Sequence, residues 1–301
     1  MDSKELLNLR VQKRINNDLS EMGKNMKELN DNGIFWHVNE DNIREIFIVI
    51  FGQEDTPYAN APFLFKFRYP DNYPLIPPEG KFCTSDGETR FNPNLYVEGK
   101  ICLSILGTWS GPSWTPVMSI KTIIMSIIAL VMTNEPLKNE PGWETARKED
   151  IEDYNNVVEY KSLKTGIIQQ LTHKQECFLP LYEHIIPRIG RDFPKIMERI
   201  DKNMDRLKGV KLIRPRYGPA SNIDYASLKK DMIELGKKYG ILQESNPPLP
   251  LATPPSTTSV EQIIPAKNPA ANYELGLEVE YKGIKYKVCA FTNGRKYWKK
   301  N

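Results

Sequence analysis

The chain has 301 residues, 40% hydrophobic and 26% charged, a composition typical of a soluble globular protein with a proper core. Its 41 basic and 38 acidic residues leave a net charge of only +3, too balanced for nucleic-acid binding by the whole chain. Four cysteines (Cys83, Cys102, Cys177, Cys289) and three histidines lie far apart without metal-ligand spacing, which argues against a zinc site or a disulfide scaffold.

The opening stretch, from about Lys4 to Lys27, repeats Leu7, Val11, Ile15 and Leu19 at helical spacing, and Asn32-Gly33 supplies a stop. It has no apolar core and does not read as a signal peptide. Three strand-like runs follow, at 34–38, 43–51 and 63–69, joined by turn-forming residues as in an antiparallel meander. Four prolines between Pro70 and Pro78 then forbid a helix, and a short strand at about 80–83 closes the sheet. No strand or helix pattern appears between Thr84 and Ser113, and an ordered loop of about thirty residues tends to be functional.

Pro116 sits where a first helical position is expected, before VMSIKTIIMSIIALVM, a run apolar on nearly every face that predicts a buried central helix. With Lys121 inside it and a length of about 17 residues, it is short for a membrane span. No membrane partner is expected, and the reduced thiols fit a cytoplasmic or nuclear protein. Asn134 to Gly142 breaks the helix, and further helices are predicted over 143–171, 178–207 and 225–239. Residues 246–272 are rich in Pro, Ser, Thr and Ala and read as a linker. In 273–301, Lys282-Gly283 and Asn293-Gly294 signal two hairpins, and Gly276 to Asn301 carries a charge of +5. The tail's interleaved aromatics and lysines suit a small hairpin core better than base stacking, so nucleic acid is the lesser expectation for this segment.

The long loop contains FNPNLYVEGKICLSILGTWSG, and with it Cys102. Two readings stand side by side. The apolar flanks Ile101, Leu103 and Ile105 fit a buried structural thiol. The loop also fits a nucleophile: no His, Asp or Lys nearby makes a hydrolase dyad, but an unassisted thiol suffices for thioester exchange. Asn94 can donate a hydrogen bond to an oxyanion, or simply bond its own turn. The other three cysteines read as small packed residues.

YPLIPPEGKF (73–82), NPNLYVEGKICLSIL (92–106) and WTP (114–116) together resemble the ubiquitin-conjugating enzymes, in which a YPxxPP segment precedes an HPN turn and a cysteine follows eight residues after its Asn. GTWSGPSWTP, NEPLKNEPGWE and NIDYASL are further similar to the Z-type subfamily, which carries extra C-terminal helices. The resemblance implies an α+β ubiquitin-conjugating-enzyme fold: N-terminal helix, four-stranded antiparallel meander, active-site loop, central helix and C-terminal helices. It divides the chain into a core (1–172), a helical extension (173–245), the linker (246–272) and a basic β-hairpin tail (273–301).

It also implies that Cys102 accepts ubiquitin, or a ubiquitin-like protein, as a thioester from an activating enzyme and passes it to a substrate lysine with a ligase. No cofactor is expected, ATP being used upstream. Asn94 matches the oxyanion or loop-stabilising Asn, Tyr96 a position that shapes the lysine pocket, and Glu140, with Asn139 beside it, an acidic gate that is commonly Asp. Asn92 stands where the family has His. Leu75, Pro116 and Val117 match the ligase-binding patch, and Arg10, Lys13 and Arg14 the helix face used by the activating enzyme, although a solvated helix face explains those three equally well. The alternative is a non-catalytic ubiquitin-binding or ligase-scaffolding variant of the same fold.

Overall fold

The strand-like runs form one antiparallel sheet in the order β1 (Ile34–Val38), β2 (Glu45–Phe51), β3 (Pro62–Arg68), β4 (Glu79–Phe82). In register Ile48 faces Phe65, which in turn faces Phe82. The computed structural model describes residues 3–39, 41–242, 278–281, 284–290 and 296–300. Residues 1–243 and 244–301 are separate compact units.

Strand β2 is buried from Ile46 to Phe51, which explains why it reads as a continuous apolar run instead of an alternation. Side chains point alternately to the two faces. One face carries Phe63, Phe65 and Phe82, with Phe91 of the long loop at 5.6 Å from Phe63 between ring centroids. The other carries Phe47, against which Phe178 packs edge-on at 5.3 Å. The sheet therefore lies between the cysteine-bearing loop and the C-terminal helices.

Helix α1 (Ser3–Lys24) continues, after a break at Asn25, as α2 (Met26–Asp31), so the helical stretch runs past the Lys27 expected from the pattern. The central helix α3 (Ile120–Ser126) starts four residues later than its proline suggested. Ser119 caps it, donating its N–H to Thr122 Oγ1 at 3.2 Å, and the capping box sets the boundary. It widens into a π turn over Ile127–Val131. The helix is not buried all round: Met125 is 44% and Leu130 59% exposed, because sheet and loop cover only part of its circumference.

Helix α4 (Lys148–Lys161) passes through a second π turn (Ser162–Gln169) into α5 (Gln170–Thr172), with Gly166 pressed close to Ala61 and the Pro62 carbonyl. Residues 143–147 are irregular, so the helix expected over 143–171 begins late. In α6 (Tyr182–Arg206), Ile185, Ile189, Phe193, Ile196 and Ile200 form one buried stripe. A two-strand pair, β5 (Leu212–Ile213) with β6 (Ser221–Asn222), precedes α7 (Tyr225–Lys238). Helices α6 and α7 cross so closely that a Cβ on Gly236 would sit 2.9 Å from the Phe193 ring.

In the second unit, β7 (Glu278–Tyr281), β8 (Ile284–Ala290) and β9 (Lys296–Lys300) form an antiparallel sheet. The expected linker, the two turn dipeptides and the packing of the tail aromatics lie outside the described residues. Of the cysteines expected to be packed, Cys83 is half-buried but Cys177 is exposed, since it lies on a surface 3-10 turn (Glu176–Leu181). Among the described residues no helix is long and apolar enough to cross a membrane.

The long loop is tethered at its start by Asp86. This buried carboxylate accepts from Lys161 Nζ at 2.8 Å, Thr89 N at 2.7 Å and Thr89 Oγ1 at 2.8 Å. Burial alone would raise its pKa, but these donors outweigh it and hold the group at about 2, against an ordinary 3.8. A depressed pKa contributes stability that is full above pH about 4 and lost as pH falls toward 2. Asp86→Asn should therefore lower unfolding stability by about 2 kcal/mol at pH 7, with a gap that closes between pH 4 and 2. Urea titrations across that range check it, and a pH-independent gap would discount the ion pair.

Candidate active site

Apart from a 3-10 turn at Ser104–Leu106, the segment around Cys102 has almost no regular structure, so buried side-chain hydrogen bonds position it. The C-terminal end of the π turn leaves carbonyls without intrahelical partners. Asn92, fully buried, donates from Nδ2 to the Val131 carbonyl at 2.6 Å and to Tyr58 Oη at 3.0 Å. Tyr58 in turn donates to the Phe91 carbonyl at 2.7 Å. Asn92 Oδ1 accepts from Asn94 N at 2.8 Å and from Asn139 Nδ2 at 3.3 Å, and Asn139 also donates to the Leu130 carbonyl at 3.0 Å. Asn92 thus fixes the Asn-Pro-Asn turn to the end of the central helix.

Asn94 and Cys102 are paired reciprocally. Cys102 N donates to the Asn94 carbonyl at 2.8 Å, and Asn94 Nδ2 donates to the Cys102 carbonyl at 2.7 Å. The amide therefore braces the loop with one hydrogen, while its second has no acceptor among the described residues. Thr108 clamps both neighbours of the cysteine: its hydroxyl donates to the Ile101 carbonyl at 2.6 Å and accepts from Leu103 N at 2.9 Å. Gly99, at φ +100° and with the Phe82 carbonyl 2.7 Å from any added Cβ, lets the turn before Cys102 lie against β4.

Cys102 itself is 2% exposed, buried within this framework. Two of the three histidines lie toward the other face of the sheet. His184 stacks on Phe35, and His37 alternates with Phe35 on the same sheet face, opposite the one that holds Phe91.

Tyr96 lies beneath the Arg90 guanidinium, 3.8 Å from its ring centroid, and Arg90 also donates to the Pro93 carbonyl at 2.6 Å. Glu140 follows a 3-10 turn (Pro136–Asn139) and accepts at Oε2 from the Tyr217 phenol at 2.8 Å. Cys102, Asn92, Asn94 and Asn139 thus belong to one connected network, with Glu140 adjoining it through Asn139. No sequence signal singles out Arg90, Tyr58 or Tyr217, and Thr108 stands out only as part of GTWSGPSWTP. Only Arg90 and Thr108, within the long loop, lay in a segment already under suspicion.

The other candidates lie apart from this network. Leu75 is 71% and Val117 88% exposed, and Pro116 is exposed beside it. Trp114 Nε1 donates to the Pro74 carbonyl at 2.8 Å and so joins their two segments. Arg10 and Lys13 are exposed on α1. Arg14 is instead committed inward, to Asp18 at 2.8 Å, the Pro116 carbonyl and the Met118 carbonyl at 2.6 Å.

Meander, central helix and braced cysteine loop stand together in one unit, and the chain belongs to the ubiquitin-conjugating enzyme family. The family model described as "Ubiquitin-conjugating enzyme" matches residues 14–163. Ubiquitin-conjugating enzyme E2 Z of Xenopus tropicalis is 36% identical over 198 residues, 65% of this chain and 63% of that protein. The Danio rerio protein of the same name is 34% identical over 218 residues, 72% and 65% of the two chains, and the Homo sapiens one 36% over 198 residues, 65% and 55%. The chain thus spans 55–65% of these relatives' lengths.

The Asn92 network predicts that Asn92→Asp, isosteric but unable to donate to the Val131 carbonyl, destabilises the protein by about 2–3 kcal/mol. Urea unfolding measures it, and a variant as stable as the parent would contradict the placement of this amide.

Proposed function

We propose that the protein is a ubiquitin-conjugating enzyme that carries ubiquitin, or a ubiquitin-like relative, as a thioester on Cys102. The reciprocal Asn94–Cys102 pairing carries this reading, because it holds a cysteine in a hydrogen-bonded frame, with no histidine or carboxylate bonded to its thiol among the described residues. Such a frame suits exchange between thioesters. The Cys102 sulfur attacks the modifier's thioester carbonyl, a new C–S bond forms, and the activating enzyme's thiolate leaves. A substrate lysine, its ammonium having given up a proton, then attacks the same carbonyl. An isopeptide bond forms and the Cys102 thiolate departs. The free energy resides in the thioester, so neither step asks for a cofactor on this chain.

Asn94 acts as the loop brace, and its second amide hydrogen serves the oxyanion. Tyr96, Glu140 and Asn139 line the acceptor side. Leu75, Pro116 and Val117 form an exposed apolar patch suited to a ligase, and Arg10 and Lys13 a basic surface suited to the activating enzyme.

Incubation with activating enzyme, ATP and ubiquitin, followed by a non-reducing gel, tests the reading. The parent should gain one ubiquitin in a reductant-sensitive band, Cys102→Ala none, and Cys102→Ser a reductant-resistant one. Absence of any such band with every activating enzyme and modifier tried would sink it.

A further inference from the structure

One segment remote in sequence reaches Glu140, beside the Asn139 end of the cysteine network. Tyr217 lies between β5 and β6, 77 residues beyond Glu140, to which its phenol is hydrogen-bonded. Its ring packs edge-on against Trp143 at 6.1 Å and Tyr154 at 5.7 Å, and the Arg90 guanidinium lies 5.6 Å from its centroid. Arg90 is thereby held between Tyr217 and Tyr96, and its own carbonyl accepts from Tyr154 Oη at 2.8 Å. Beside Tyr217, Arg216 lies over Trp143 at 5.8 Å and reaches Asp150 at 3.5 Å, which secures the turn.

The chemistry of this contact is specific. A glutamate has several rotatable bonds, and an unrestrained carboxylate loses that freedom when it orients a ligand. A phenol donor fixes one oxygen, whereas Glu140 Oε1 has no donor among the described residues. Because the donor is neutral, it leaves the carboxylate's charge uncompensated, as a lysine or arginine in its place would not. Burial and the bond to Glu140 both push the Tyr217 pKa up, so the phenol keeps its proton at neutral pH.

We propose that Tyr217 is a positioning residue for Glu140: it locks the carboxylate on the acceptor side of the Cys102 loop so that the free oxygen meets the ammonium of an incoming lysine. The proposal rests on Cys102 carrying the thioester. It makes the β5–β6 turn part of the catalytic apparatus, with a role at the transfer step and none at loading.

Tyr217→Phe keeps the ring and its packing and removes only the donor. The full chain, parent or variant, is charged with ubiquitin, freed of activating enzyme, and discharged onto free lysine over a range of concentrations. The variant should charge at the parental rate but need about three- to ten-fold more lysine for half-maximal discharge. Added to Glu140→Ala, it should change nothing further. A parental lysine dependence overturns the proposal, as does an equal loss in the Glu140→Ala background. Failure of the variant to charge would mark Tyr217 as structural and overturn it too. A parent that takes up no ubiquitin overturns instead the reading on which the proposal stands.

Discussion

The geometry of the site depends on one buried amide. Asn92 has no access to water, so each of its hydrogen-bonding atoms must find a partner within the protein. It does so by joining four segments: the Tyr58 loop, the end of the central helix, its own turn and the Pro136–Asn139 turn. A loop without strands or helices gains from this a position as fixed as that of a regular element. The reciprocal pairing of Asn94 with Cys102 and the Thr108 clamp extend the same frame to the cysteine. The asparagine that departs from the family's turn motif thereby performs a bracing role suited to a side chain with both donors and an acceptor.

The meander was legible because strands of a sheet buried on both faces leave unmistakable apolar runs between turn residues. The same logic misplaced the start of the central helix. A proline suits a first helical position but does not compel one, and here the Ser119–Thr122 capping box prevails. Its exposed Met125 and Leu130 were equally hidden, since an all-apolar run does not tell which face its neighbours leave bare. Spacing singles out Cys102 and Asn94 as candidates, but the hydrogen that Asn94 gives to the cysteine carbonyl appears only in the fold. Tyr217 was illegible. It stands in an unpatterned turn, and its contact with Glu140 is a consequence of tertiary folding alone.

Arg14 shows how a surface reading can be half right. Of Arg10, Lys13 and Arg14 on the first helix, two are exposed, whereas Arg14 ties that helix to the carbonyls of Pro116 and Met118. The exposed patch at Pro116 and Val117 thus has its backbone held from beneath by the element that carries the other surface.

The placement of the sheet between two layers bears on the order in which the chain is made. Every residue of the cysteine network has been synthesised once Glu140 is added, yet Phe47 then still lacks the ring of Phe178 that covers it. Synthesis proceeds from the N-terminus at a finite rate, and apolar surface left bare meanwhile invites misassociation. The meander must therefore wait, one face open, for nearly forty further residues. The segment beyond the family core closes that face as it emerges.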